Sequence, residues 1–125
     1  MDKIAETSLL YDFYGQLLTE KQRQVMELYH EENLSLTEIA DEFTISRQAV
    51  HDTLKKAERS LAEYEEKLGL VKKFVRTSRA MEEIEKEIDE IAQLVARLQG
   101  AAEATEVVEA RLRTVKTIIE DLEEE

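Results

Sequence analysis

The chain has no cysteine and no proline, and only three glycines in 125 residues. Without cysteine there can be no disulfide and no thiolate metal site, a composition that suits a reducing cytoplasm. Without proline, and with glycine only at Gly15, Gly69 and Gly100, little in the chain breaks a helix. No stretch approaches the ~18 consecutive apolar residues of a membrane span. The N-terminus also lacks a basic segment followed by a long apolar run. These absences predict a soluble, cytoplasmic protein with no membrane partner. What is abundant is charge: 37% of residues are charged and the net charge is −12. With helical periodicity throughout, this composition predicts an all-α fold.

Residues 35–61, SLTEIADEFTISRQAVHDTLKKAERSL, read as a helix-turn-helix. Ser35 with Glu38 three residues on is the capping-box spacing, which satisfies two orphan backbone donors. Leu36, Ile39, Ala40 and Phe43 give the first helix one apolar face. A turn follows at Thr44-Ile45, and Ser46 caps a second helix whose apolar stripe is Val50, Leu54, Ala57 and Leu61. Capping alone explains Ser46. It does not explain the order of short helix, tight turn and Arg-Gln opening. Arg47, Gln48 and His51 are placed to read base edges, and Thr37, Ser46, Lys55 and Arg59 to meet phosphates. Lys21 and Arg23 are weaker additions. Charge pulls the other way: residues 1–66 hold seven Lys/Arg against 15 Asp/Glu. Basicity is local, at Arg47, Lys55, Lys56 and Arg59, with Asp52 and Glu58 among them, so phosphate binding there is expected to be weak and salt-sensitive.

Upstream, residues 4–18 are expected to form a helix with Leu10, Phe13, Tyr14 and Leu17 on its apolar face, and Gly15 marks close packing. Thr19 caps the next helix, TEKQRQVMELYHE, whose inward residues are Val25, Met26 and Tyr29. Asn33 is its expected stop, because asparagine tolerates the left-handed conformation. Downstream, Val50, Leu54, Ala57, Leu61, Tyr64, Leu68, Val71 and Val75 continue as one heptad stripe. Gly69 is expected to end or kink that helix, with a short helix through Phe74.

The character changes near Thr77. Met81, Ile84, Ile88, Ile91, Val95 and Leu98 step by alternating threes and fours, as do Val108, Leu112, Val115, Ile119 and Leu122. Each stripe is about three heptads long, the coiled-coil threshold. The expected form is an antiparallel hairpin turning at Gly100 and Ala101, with one long dimerising helix as the alternative. The expected organisation is a wingless helix-turn-helix domain over residues 1–75 and heptad helices over 76–125. Ile84, Ile88, Ile91, Val95, Val108, Leu112, Val115 and Ile119 are the candidate oligomerisation residues of a homodimer. The final EDLEEE reads as a solvated end.

The stretch LLTEKQRQVMELYHEENLSLTEIADEFTISRQAVHDTLKKAERSL resembles the domain by which bacterial sigma factors read the upstream promoter element. With LLYDFYGQLLT before it and EYEEKLGL after it, residues 8–75 more closely resemble the YlxM family of sigma-domain-like proteins from Gram-positive bacteria. The resemblance implies a sigma-factor-like helix-turn-helix bundle and a regulatory, DNA-binding role. It also implies a connection to the signal recognition particle pathway, carried by gene neighbourhood and not by residue chemistry. Residues 77–125 depart from the family pattern, whose tail is shorter and less regularly heptad.

Nothing points to catalysis. His30 lies beside Glu31 and Glu32, but neighbours in sequence do not face one another on a helix. His51 is better placed for a groove contact than for a metal. Ser46 has no histidine at an activating spacing, and no glycine-rich loop exists to cradle a nucleotide. No enzyme, cofactor or metal is expected. Three readings follow. The first is a DNA-binding transcription regulator, with RNA as the alternative nucleic acid. The second is an adaptor that binds a protein or ribonucleoprotein such as the signal recognition particle without sequence-specific DNA contact. The third is a structural dimer module whose heptads are the functional part.

Overall fold

The computed structural model describes residues 2–98 and 102–124, which hold helices and no strand among the described residues. In order they are α1 (Lys3–Tyr14), a 3-10 turn (Gly15–Leu17), α2 (Glu20–Met26) running into a π-type turn (Glu27–Glu31), α3 (Leu36–Phe43), α4 (Arg47–Leu68), α5 (Leu70–Ala96) and α6 (Ala102–Glu124). The chain divides into two units, residues 1–73 and 74–125.

Local signals set most boundaries in the first unit. Asp2 caps α1 by accepting from the Ala5 amide. Thr19 caps α2, and reciprocal bonds with Gln22 complete a capping box. Ser35 and Glu38 form the expected box at α3, at 3.1 Å in each direction. Ser46 Oγ accepts from the Ala49 amide at 3.0 Å to open α4. Asn33 and Thr44 stand in the left-handed region, at φ 56° and 55°, and bring the chain into and out of α3. The core is Tyr14, Leu18, Val25, Met26, Ile39, Ala40, Val50, Leu54, Ala57, Leu61 and Val71.

Four expectations for this part of the chain need correction. The first helix stops at Tyr14, where the backbone tightens into the 3-10 turn. Three residues per turn instead of 3.6 rotate Leu18 inward and leave Leu17 exposed. Tyr29 is not a core residue, because the π-type turn widens the helix after Met26 and carries Tyr29 to the surface. The heptad stripe does not run unbroken through Leu68 either. Gly69 ends α4 at φ 63°, so Leu68 stays exposed while Val71 re-enters the core from α5. The helix that follows Gly69 is not short: α5 passes Phe74 and Thr77 without interruption.

Gly15 packs against its own helix. A Cβ there would stand 2.9–3.1 Å from the Tyr11 ring, which is held in place by its hydroxyl donating to Glu27 at 2.6 Å. Gly15→Ala should therefore cost about 1 kcal/mol or more, since overpacking outweighs the gain in helix propensity. Urea unfolding measures it, and a stabilised variant would show that Tyr11 gives way freely.

The break at Gly69 is closed by a polar clasp. Tyr14 Oη donates to Glu65 Oε1 at 2.6 Å and accepts from the Leu70 amide at 3.1 Å. The amides of Val71 and Lys72 donate to the two Glu65 oxygens, each at 3.0 Å. The leading N–H groups of a helix have no partner within it, and here Tyr14 and Glu65 supply three of them. Burial pushes the Glu65 carboxyl up, but the Tyr14 hydroxyl, the two amides and Lys72 outweigh it and hold the group below its ordinary value. The Tyr14 phenol is pushed up, first by burial and then by the bond to Glu65.

In the second unit α5 and α6 run antiparallel. Lys116 Nζ reaches Asp89 Oδ1 at 3.3 Å. Glu123 lies by Glu85 and Glu82; desolvation and then the charges of Glu85, Glu82 and Glu120 push its carboxyl up. These pairings make a hairpin and set aside one continuous C-terminal helix. The turn expected at Gly100 and Ala101 lies outside the described residues. Ile88 and Ile119 are buried between the two helices.

Candidate nucleic-acid interface

The row Val50, Leu54, Ala57 and Leu61 fixes α4 in the domain, each of them 4% exposed or less. The opposite side of the helix is therefore turned outward. Arg47, His51, Lys55 and Arg59 follow one another at steps of four and form one exposed ridge. Gln48 stands beside that ridge on the first turn. Thr37 is exposed in the first turn of α3, and Ser46 is exposed although its hydroxyl is committed to capping α4. The seven candidate contact residues are thus all at the surface, and five of them lie on α4. The turn between α3 and α4 is three residues, Thr44 to Ser46.

Two carboxylates interrupt the ridge. Gln48 Nε2 donates to Asp52 Oδ1 at 3.0 Å, and His51 Nδ1 stands 3.7 Å from the same oxygen. Lys55 Nζ lies 3.6 Å from Glu58 Oε2. Glu58 is half-buried, and its other oxygen lies 3.7 Å from His30 Nε2. His30 is therefore not a bare helix end but leans on α4, with its ring edge-on to Tyr29. Arg47 and Arg59 have no ion-pair partner among the described residues, which leaves the guanidinium at the head of α4 available to an outside acceptor. A guanidinium is matched to guanine O6 and N7 or to a phosphate, and a side-chain amide to adenine. Asp52 held against Gln48 fixes one amide hydrogen and leaves the other hydrogen and the amide oxygen for a base edge.

Among the described residues no group of three or more His, Asp or Glu is placed to hold an ion. An open groove of about 690 Å³ runs between α1, the π-type turn and α4, with Leu10, Leu34 and Leu61 in its lining and Lys55 and Glu58 at its edge. No helix of the described residues is long and apolar enough to cross a membrane.

The Gln48–Asp52 and Lys55–Glu58 pairs were accessible to sequence reasoning, because they sit at i,i+4 and i,i+3 on a helix. The His30–Glu58 contact was not, since 28 positions separate the two residues.

Comparison with known proteins converges on one family. A family model described as "Putative helix-turn-helix protein, YlxM / p13 like" matches residues 1–101, so the family likeness runs past residue 75, where it was expected to end, into the first heptad helix. The UPF0122 protein of Desulforamulus reducens is 54% identical over 84 residues, covering 67% of this chain and 72% of that protein. The UPF0122 protein of Halalkalibacterium halodurans is 46% identical over 103 residues, covering 80% and 94%. One from Bacillus cereus is 43% identical over 106 residues, covering 85% and 96%.

Proposed function

This chain belongs to the UPF0122, YlxM / p13-like helix-turn-helix family, and on that basis we propose that it is a DNA-binding regulator that reads the major groove with the first turns of α4. The observation that carries this reading is the exposed ridge Arg47, His51, Lys55 and Arg59 with Gln48 beside it, on a helix anchored by its buried row Val50, Leu54, Ala57 and Leu61. Arg47, Gln48 and His51 contact bases; Thr37, Ser46, Lys55 and Arg59 contact phosphates. The protein acts in the cytoplasm as a homodimer held through its C-terminal helices, which presents two recognition helices to paired half-sites.

Arg47→Ala is expected to weaken specific binding by about 1–3 kcal/mol and to relax discrimination at one base position. Lys55→Ala should weaken binding to all sequences alike and make it less salt-dependent. Fluorescence anisotropy on a selected duplex, run at several salt concentrations, separates the two effects. Unchanged affinity and discrimination in Arg47→Ala removes this residue from the interface.

A second reading rests on charge. The net charge of −12 and the pairing of Lys55 and His51 with Glu58 and Asp52 weaken the site as a phosphate binder. An acidic surface of this kind complements a basic RNA-binding protein. In that reading the chain is an adaptor of the signal recognition particle. It predicts a complex with the particle's purified protein that weakens with salt and survives nuclease. No binding at micromolar concentration counts against it.

A further inference from the structure

The C-terminal hairpin divides its apolar stripe into two faces. In heptad notation Met81, Ile88 and Val95 take position a on α5, and Ile84, Ile91 and Leu98 take d; on α6, Leu112 and Ile119 take a, and Val108, Val115 and Leu122 take d. The least exposed positions of the hairpin are Met81, Glu85, Ile88, Ala92 and Val95 on α5 and Thr105, Glu109, Leu112, Lys116 and Ile119 on α6, all of them a or e. The hairpin therefore closes through a and e. In an antiparallel pair closed that way, the d and g positions of both helices fall on the same side.

That side is apolar and uncovered. On α5 it carries Ile84, Ile91, Leu94 and Leu98; on α6 it carries Val108, Val115, Ile118 and Leu122. Each is between 37% and 64% exposed. Together they present roughly 700 Å² per chain, close to the ~800 Å² that each partner gives a standard interface. The largest apolar patch on an ordinary monomer is about 300–600 Å². Within the span of these residues only Glu87 and Arg111 share the face as charged side chains, both at g. The face is thus neutral in a chain of net charge −12. A basic partner would find its match on the acidic remainder of the surface and not here. The occupant must be apolar, neutral and of heptad pattern, and this same face on another copy fits those terms without like-charge repulsion.

We propose that the d/g face of the hairpin is the homodimer interface, covered by a second copy of this chain in a four-helix bundle. The inference rests on the dimeric reading above and narrows it to one side of the stripe. Ile88, Leu112 and Ile119 hold the hairpin together, whereas Leu94 and Ile118, outside the a/d pattern, join the interface.

The test compares two double variants of the full chain that add equal charge. Leu94→Glu with Ile118→Glu places both carboxylates on the face, and Gln93→Glu with Thr117→Glu places them on the far side of the hairpin. Light scattering should give the wild type and the second variant twice the chain mass, and the first variant the mass of one chain with its helical circular dichroism retained. As a measurement that leaves charge unchanged, a bimane label on Leu94→Cys should shift to the blue as protein concentration rises, while one on Gln93→Cys should not; the chain has no native cysteine to interfere. A wild type of single-chain mass overturns both the dimer and this interface. A wild-type dimer that persists in Leu94→Glu/Ile118→Glu, is lost in Gln93→Glu/Thr117→Glu, or leaves the Leu94 label in water overturns the interface alone.

Discussion

Ile39→Ala is expected to remove about 2–5 kcal/mol of folding stability, the range for truncating a fully buried aliphatic side chain. The effect is specific to α3. This helix has eight residues, and only Ile39 and Ala40 are buried. A helix of that length is not stable by itself in water, so its tertiary contacts must hold it. Ala40 contributes a single methyl, which leaves Ile39, fully inaccessible to solvent, as the anchor of α3 against the rest of the domain. Because a small domain has only about 5–15 kcal/mol in total, the loss should be visible as a large drop in the urea midpoint. Ile39→Val, which keeps most of the volume, should cost about 0.5–1.5 kcal/mol. DNA affinity should fall with Ile39→Ala as well, since the turn at Thr44 that delivers Arg47 depends on the end of α3. A cost below about 1 kcal/mol for Ile39→Ala would show that α3 is held by something other than this side chain.

The second large effect is expected at the clasp. Glu65→Leu leaves the Tyr14 hydroxyl without its acceptor and the Val71 and Lys72 amides without theirs. Leaving partly buried donors unpaired should cost about 2–3 kcal/mol in total. Glu65→Gln, which keeps one acceptor oxygen, should cost less. The pH dependence follows from the direction of the Glu65 shift. Its carboxyl is held below its ordinary value in the folded chain. Its contribution is therefore complete above the unfolded carboxyl pKa, about 4.3, and is lost as pH falls through the lower folded value. Wild type should thus lose stability on acidification more steeply than Glu65→Leu over that range. The Tyr14 phenol, pushed up, acts in the opposite sense: its contribution is complete below its ordinary pKa and is lost as pH rises through the folded value. Equal acid slopes for wild type and Glu65→Leu would contradict the clasp.

Much of the fold could be read from local sequence, because its punctuation is local. Ser35 with Glu38, Ser46, Thr19, Asn33 and Gly69 each act within four residues of themselves, and each sits where it was expected. The misses have non-local or geometric causes. Tyr14 reads as one more apolar residue in α1, yet its hydroxyl bonds Glu65, 51 positions away. No spacing rule announces that pair, nor the continuation of α5 through Thr77 that it launches. The 3-10 turn at Gly15 and the π-type turn after Met26 change the number of residues per turn, so faces drawn at 3.6 misplace Leu17 and Tyr29. In the tail the heptads identify the helices but not the side each turns to its neighbour. That choice needs the packing of the two helices, which covers positions a and e and leaves d and g exposed. The candidate interface was legible as a set of surface residues, five of the seven on α4. The competing carboxylates Asp52 and Glu58 were legible too, at i,i+4 and i,i+3 on α4, but the reach of His30 to Glu58 was not.

The most direct measurement is selection from a random duplex DNA library at low salt, with the full wild-type chain and Arg47→Ala in parallel. If α4 reads the major groove, the wild type enriches a defined motif, and Arg47→Ala enriches it with one base position relaxed. No enriched motif for the wild type, or an identical motif and affinity with Arg47→Ala, would contradict base reading by this helix.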